Sequence, residues 1–204
     1  MSYDSATETL KHIRKVQANL GRMARLLIER GEVHDDSKLG PDEKPLFDKM
    51  TPLLSGVTYG SDEYRAMLAE LRPALDHHNA ANSHHPEHYK LWKCVHCKGV
   101  FQEKDAPASD GYESKPRFCP ACTHGAAIFE FTLEPHVSVD GFDLLDLVEM
   151  LCDWKAATER HNDGDIMRSI EINEKRFNLS PQVASILRNT VERLGWANKP
   201  KAAA

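Results

Sequence analysis

His34-Asp35-Asp36-Ser37-Lys38 closes a long amphipathic segment and stands just before the breaker pair Gly40-Pro41. Adjacent His and Asp side chains offer one neutral nitrogen and one anionic oxygen, donors that suit a divalent cation when other helices bring more of the same. The chain has such donors: five of its eleven histidines fall between His77 and His88, and a mostly apolar stretch carries Asp146. The expectation is a metal-centred hydrolase site in a helical domain.

Working outward, the segment before His34 places Leu10, Ile13, Val16, Leu20, Met23 and Leu27 at steps of three and four. That spacing predicts a helix over about 5–30 with one buried stripe, capped by Ser5 or Thr7 and closed by Gly31. His12 lies on the flank of the stripe and is a candidate ligand from a helix preceding the His-Asp pair. After Gly40-Pro41 a short helix over about 42–50 is expected, then loop to Ser61. Leu68, Leu71, Leu75 and His78 next share a helical face, with Pro73 either opening a helix or kinking one. His78 then points inward. Pro86 disfavours helical geometry at His85, so 83–89 should fold back over the site.

Further on, Leu144, Leu145, Leu147, Val148, Met150, Leu151, Cys152 and Trp154 wrap nearly every side of a helix over about 143–161. Such a helix should be central to the fold, with Cys152 in the core. Asp146 and Asp153 share one face of it. A buried carboxylate needs a partner or a metal; Asp146 is taken as a ligand, and Asp153 stays open between ligand and ion pair, as do the roles of His77, His84 and His88. Two helices follow, one bearing Ile166, Ile170 and Phe177, the other capped by Ser180-Pro181 and bearing Val183, Ile186, Leu187, Val191 and Leu194.

Between the two halves the character changes. Cys94-x-x-Cys97 and Cys119-x-x-Cys122 flank 21 residues rich in Gly, Pro, Ser and charge. Two thiolate pairs at this spacing make a closed structural Zn²⁺ site, on which a module this small depends for folding. Val100, Phe101, Phe118, Ile128, Phe129 and Phe131 supply its short strands and core. The stretch resembles a zinc ribbon. The expected organisation is a discontinuous helical domain, 1–91 and 136–200, interrupted by a ribbon at 92–135.

The 204 residues are 41% hydrophobic and 28% charged, ordinary for a globular protein, with a net charge of −5 that gives no global attraction for nucleic acid. Contact with nucleic acid through lysines of the ribbon stays open. No apolar run is long enough to span a membrane, and paired cysteines suit a reducing compartment, so a cytoplasmic protein is expected.

The order His12, His34-Asp35, distal histidines and Asp146 resembles the HD-domain superfamily of metal-dependent phosphohydrolases, and His34-Asp35-Asp36-Ser37-Lys38 looks like the HDxGK variant with Ser37 in place of Gly. The resemblance implies an all-α, HD-like helical bundle here. It makes His12, His34, Asp35 and Asp146 the primary ligand set, with His78 and His85 holding a second ion or acting as general acid. A second resemblance is to a family of uncharacterised phage and bacterial proteins. It rests on Ala74-Leu75-Asp76-His77-His78, on His84-His85-Pro86-Glu87-His88-Tyr89, and on 144–150 running into Asp153-Trp154-Lys155-Ala156-Ala157. A phage origin would put the protein in the host cytoplasm.

The function expected is hydrolysis of a nucleotide or related phosphoester by water activated on one or two divalent ions (Zn, Mn, Co, Mg or Fe), with Lys38 gripping phosphate. Two alternatives stand beside it: a nucleic-acid or protein-binding adaptor with a structural helical metal, and a di-iron oxygenase.

Overall fold

Capping residues start most of the helices where the sequence places them. The computed structural model describes residues 4–54, 56–57, 61–102, 105, 119–122, 133–160 and 164–197. Helix α1 (Ala6–Glu32) is followed by a 3-10 turn (Asp36–Leu39), α2 (Lys44–Leu54) and α3 (Asp62–Ala81). Strands β1 (Leu91–Cys94), β2 (Val100–Gln102) and β3 (Leu133–His136) precede α4 (Leu144–Glu159), α5 (Ile166–Arg176) and α6 (Pro181–Arg193). Ser61, Asp143, Asp165 and Ser180 each cap a helix by accepting from backbone N–H groups of its first turn. The chain is thus mostly helical, with one small antiparallel sheet. No helix among the described residues is long and apolar enough to cross a membrane.

Two apolar clusters organise the helices. Met150, Leu151 and Trp154 of α4 pack with Ile166 and Ile170 of α5, Phe177, Leu179, and Leu187 and Val191 of α6. Met50 of α2 packs with Leu71 and Ala74 of α3. Burying each large side chain is worth roughly 1.5–3 kcal/mol. The His34 turn bridges the groups: it follows α1, which lies on α4, and it contacts α2 and α3.

The sheet has the order β2-β1-β3. Leu91 pairs with Gln102 on one side and with His136 on the other. The segments entering and leaving the cysteine-bearing region therefore run side by side. Phe118, Ile128, Phe129 and Phe131 lie outside the described residues.

Several local expectations differ from the structure. The α1 stripe is exposed and no residue of α1 is buried. Periodicity identifies a face but not what covers it. Helix α2 runs on past Met50 through Pro52, which lies in its last turn, and Pro73 sits inside a continuous α3. Cys152 is exposed on α4, as is Leu144, because α4 meets neighbours on only part of its circumference. Ile186 and Leu194 of the last helical segment are also half exposed.

Candidate metal centres

The helical site begins where α1 stops. Asp35 adopts the left-handed conformation (φ 60°, ψ 15°), which turns the chain out of the helix and into the 3-10 turn. An Asp tolerates this region better than most residues, at some cost in strain. Lys38 Nζ then donates to Asp35 Oδ2 at 2.6 Å and stands over the Phe47 ring. Lys38 is therefore held by the carboxylate beside it.

From α3 come His77 and His78, both anchored on Glu43, which has no exposed surface. His77 Nδ1 lies 2.7 Å from Glu43 Oε1, and His78 Nδ1 lies 3.0 Å from Oε2. An ionised carboxylate only accepts, so Nδ1 of each ring carries the proton and the His78 Nε2 lone pair faces the opposite way. There it meets His85 Nε2 at 2.9 Å and Asp35 Oδ1 at 3.2 Å. Asn82 supports the arrangement by donating to Ser37 Oγ at 2.8 Å. His85 itself is extended (φ −93°, ψ 127°) ahead of Pro86, and this folds the 83–89 segment back over the site.

His84 completes the group. Its Nε2 lies 3.5 Å from Asp35 Oδ1 and its Nδ1 lies 3.1 Å from Glu149 Oε1. The same Glu149 oxygen is 2.8 Å from His34 Nδ1, while His34 Nε2 faces Asp35 Oδ2 at 3.5 Å and Asp153 Oδ1 at 3.7 Å. Ligand atoms of Asp35, His78, His84 and His85 thus cluster closely enough to share an ion. His34, Asp35 and Asp153 form an adjoining group, as do His34, His84 and Glu149. The fit is supported by two buried atoms in this cluster without a hydrogen-bond partner, Asp35 Oδ1 and His84 Nε2. Such atoms are costly, by roughly 1–3 kcal/mol each, unless something coordinates them. The donors are nitrogen and oxygen throughout, a set that suits Zn, Mn, Fe or Co.

Electrostatics fits metal uptake at neutral pH. Burial, aided by His84 and His78, pushes His85 down to about 3, so its imidazole is neutral and has a lone pair to offer an ion. Burial likewise lowers His84. Desolvation opposes ionisation of Asp35, but the close approach of His78, the hydrogen bond and charge of Lys38, and the nearby His34 outweigh it and hold the carboxyl well below the usual range. His34 differs: the Asp153 carboxylate facing it, with Glu149 and Asp35 close by, raises it to about 9 against burial, so the metal-free protein carries a proton there that an ion would expel.

The structure thus brings together His34, Asp35, His78 and His85 of the sequence-proposed set. It does not bring His12 or Asp146 into the ligand groups. His12 is exposed on α1, and the helical rise puts it about 27 Å from Arg30, where that helix reaches the site. Asp146 is buried beside the site but engaged elsewhere. It accepts from Arg30 Nη2 (2.6 Å), Ser83 Oγ (2.6 Å) and Tyr89 Oη (2.5 Å), and it closes the capping box with Asp143. Asp153, two turns further along α4, faces His34 in its stead. Sequence reasoning left the roles of His84 and Asp153 open and gave none to Glu149 or Glu43. Glu149 was traceable, since it lies between Asp146 and Asp153 on the same side of α4. Glu43 follows Gly40-Pro41 in a polar stretch and carries no such signal.

The cysteine site is separate. Sγ of Cys94 and Cys122 are 3.7 Å apart, those of Cys97 and Cys119 3.5 Å apart, and all lie within 4.8 Å of one another. A tetrahedron with ligands about 2.3 Å from its centre has edges of about 3.8 Å, so the group fits zinc. His96 and Cys122 backbone N–H groups donate to the first sulfur of each pair, Cys94 and Cys119.

A cavity of about 1660 Å³ opens beside the helical cluster. His78, His84, His85 and Asp153 border it, and Lys38 lies at its rim with Phe47. It is larger than the roughly 300–1,000 Å³ usual for small-molecule sites.

Comparison with known proteins finds one family. Its model, described as a family of unknown function (DUF5662), matches residues 1–193. No curated protein and no solved structure matches the chain.

Proposed function

The chain belongs to DUF5662, and because that family has no assigned activity we propose a function from the site alone: a metal-dependent phosphohydrolase acting on a nucleotide or related phosphoester. The observation that carries this reading is the convergence of His34, His78, His84 and His85 with Asp35 and Asp153 beside a large open cavity. The resemblance of His34-Asp35 to the HD signature supports it, with Asp153 in the late-helix role first given to Asp146. His78, His84, His85 and Asp35 would hold one divalent ion, and His34 with Asp153 or Glu149 a second. Such an ion supplies a bound water of lowered pKa and polarises a phosphoryl oxygen.

The chain's own residues prepare the site for this. Glu43 fixes the His78 ring with Nε2 toward the cluster, and Arg30 pairs with both Asp146 and Glu149 behind it. Lys38 sits at the cavity rim, where release from Asp35 would let it meet a phosphate oxygen. His85, held neutral by burial at the edge of the cavity, keeps a nitrogen lone pair for an ion and would serve as a ligand rather than as a general acid.

The test is a screen of nucleotides, cyclic nucleotides and simple phosphomonoesters with Zn, Mn, Co, Mg and Fe, scored by released phosphate or nucleoside. The expected result is turnover that needs added ion and falls about a hundred- to a thousandfold in Asp35→Asn, about what loss of a central charge stabiliser costs. Equal turnover in that variant, or none with any ion, rejects the reading.

A further inference from the structure

Helix α1 carries an apolar stripe that the described chain leaves open. Ile13, Val16, Leu20 and Met23 are 43%, 41%, 61% and 38% exposed, and Leu10 beside them is 54% exposed. From Ile13 to Leu27 the stripe follows alternating steps of three and four, a heptad seam sustained until the helix reaches the body. The main neighbour of α1 is α4, reached at its C-terminal end, where Arg30 holds Asp146 and Glu149. A helix of this length draws little stability from water alone and ordinarily depends on packing of its apolar face. A contiguous exposed apolar patch marks an interaction surface.

We propose that α1 pairs through this seam with α1 of a second copy of the chain. The charge pattern chooses the partner. The flanks of the seam hold no Asp, Glu, Lys or Arg: Gln17 and Ala24 lie on one side, His12 and Asn19 on the other. Like copies therefore meet without like-charge repulsion, and there are no flanking charges of the kind that select a different partner. Lys11, Arg14, Lys15, Arg22 and Arg25 are exposed and, at about 100° per residue, stand on the side opposite the seam. In a pair they point outward. A helix lying on a membrane surface places such cations at the polar–apolar boundary, where their stems reach back to the headgroups; here that boundary is uncharged.

The experiment uses the full chain with its metals and reads mass by sedimentation equilibrium. The parent should show a mass near twice 23.0 kDa. Leu20→Glu should raise the dissociation constant about 100-fold or more, because it puts a charge into the seam. Should α1 fray in that variant, two flank variants keep the helix: Gln17→Glu with Asn19→Glu, and Gln17→Lys with Asn19→Lys. Each should weaken association alone, and an equimolar mixture should restore it. Arg22→Glu, on the far face, should leave the mass unchanged. A monomeric parent at about 100 µM, flank variants that associate like the parent, or a monomer that binds anionic phosphatidylserine vesicles through α1 would overturn the proposal; 100 µM is a generous ceiling for a specific pair.

Discussion

Asp146→Asn separates a structural carboxylate from a metal ligand. The native side chain is 2% exposed and accepts from Arg30, Ser83 and Tyr89, with the guanidinium only 2.6 Å away. Asn keeps the shape, removes the charge, and turns an NH₂ group toward at least one of those donors. Breaking a buried ion pair typically costs about 3–5 kcal/mol. Arg30 is partly exposed and keeps Glu149 at 2.6 Å, so the cost falls somewhat below that range, to about 2–3 kcal/mol. For a chain of this size that lowers Tm by about 5–10 °C. The hydrogen bonds from Ser83 and Tyr89, acting against burial, hold the Asp146 carboxyl below its usual range. Its stabilisation is therefore present above about pH 4 and disappears as the pH falls through the lowered value, so parent and variant should converge in acid. Thermal unfolding of metal-free protein, with metal content measured separately on ion-loaded samples of parent and variants, checks this. Asp146→Asn should keep the helical-site ions, and Asp153→Asn should weaken or lose the second one, which it would share with His34. An Asp146→Asn protein with normal Tm and an empty helical site would refute the assignment.

Other perturbations follow from the same geometry. With His34 raised to about 9 in the metal-free chain, its contribution to stability is complete below about pH 6.5 and is lost as the pH rises through 9; denaturation curves across that window should show the decline. Ion binding should release a proton and tighten toward pH 9, measurable by calorimetry in two buffers. Glu43→Gln should weaken helical-site metal affinity about 10–100-fold while the fold persists, since Glu43 orients His78 without reaching the cluster. Cys97→Ser should abolish the sulfur-bound ion, read by loss of the cobalt–thiolate absorption, and leave the helical ion in place.

The residues that declared themselves in the sequence did so through chemistry that needs no tertiary context. His34-Asp35 and the two Cys-x-x-Cys pairs bring donors together by adjacency alone, and Pro86 dictates the extended backbone at His85. Asp146 was misread because a buried acid on an apolar helix looks the same whether an ion or an arginine neutralises it. Arg30, the arginine concerned, lies 116 positions away. His12 shows the converse error, a residue with suitable chemistry on the suitable helix but too many turns from its end. Glu43 was invisible because its burial is created by packing of the turn against α3, which periodicity does not report. The exposed α1 seam has a related cause: the sequence marks an apolar face equally well for intramolecular and intermolecular cover.

Pairing of β1 with β3 has a consequence for loop entropy in the helical body. Leu91 and His136 are held opposite one another by the ladder, so to the helices α3 and α4 the intervening chain behaves as a tight turn. If loss of zinc melted the sheet, the same body would have to close a flexible loop of about 45 residues. Compared with a connection of about six residues, loop closure adds about 2 kcal/mol. The cysteine site would then help set the stability of a histidine cluster that none of its sulfurs touches.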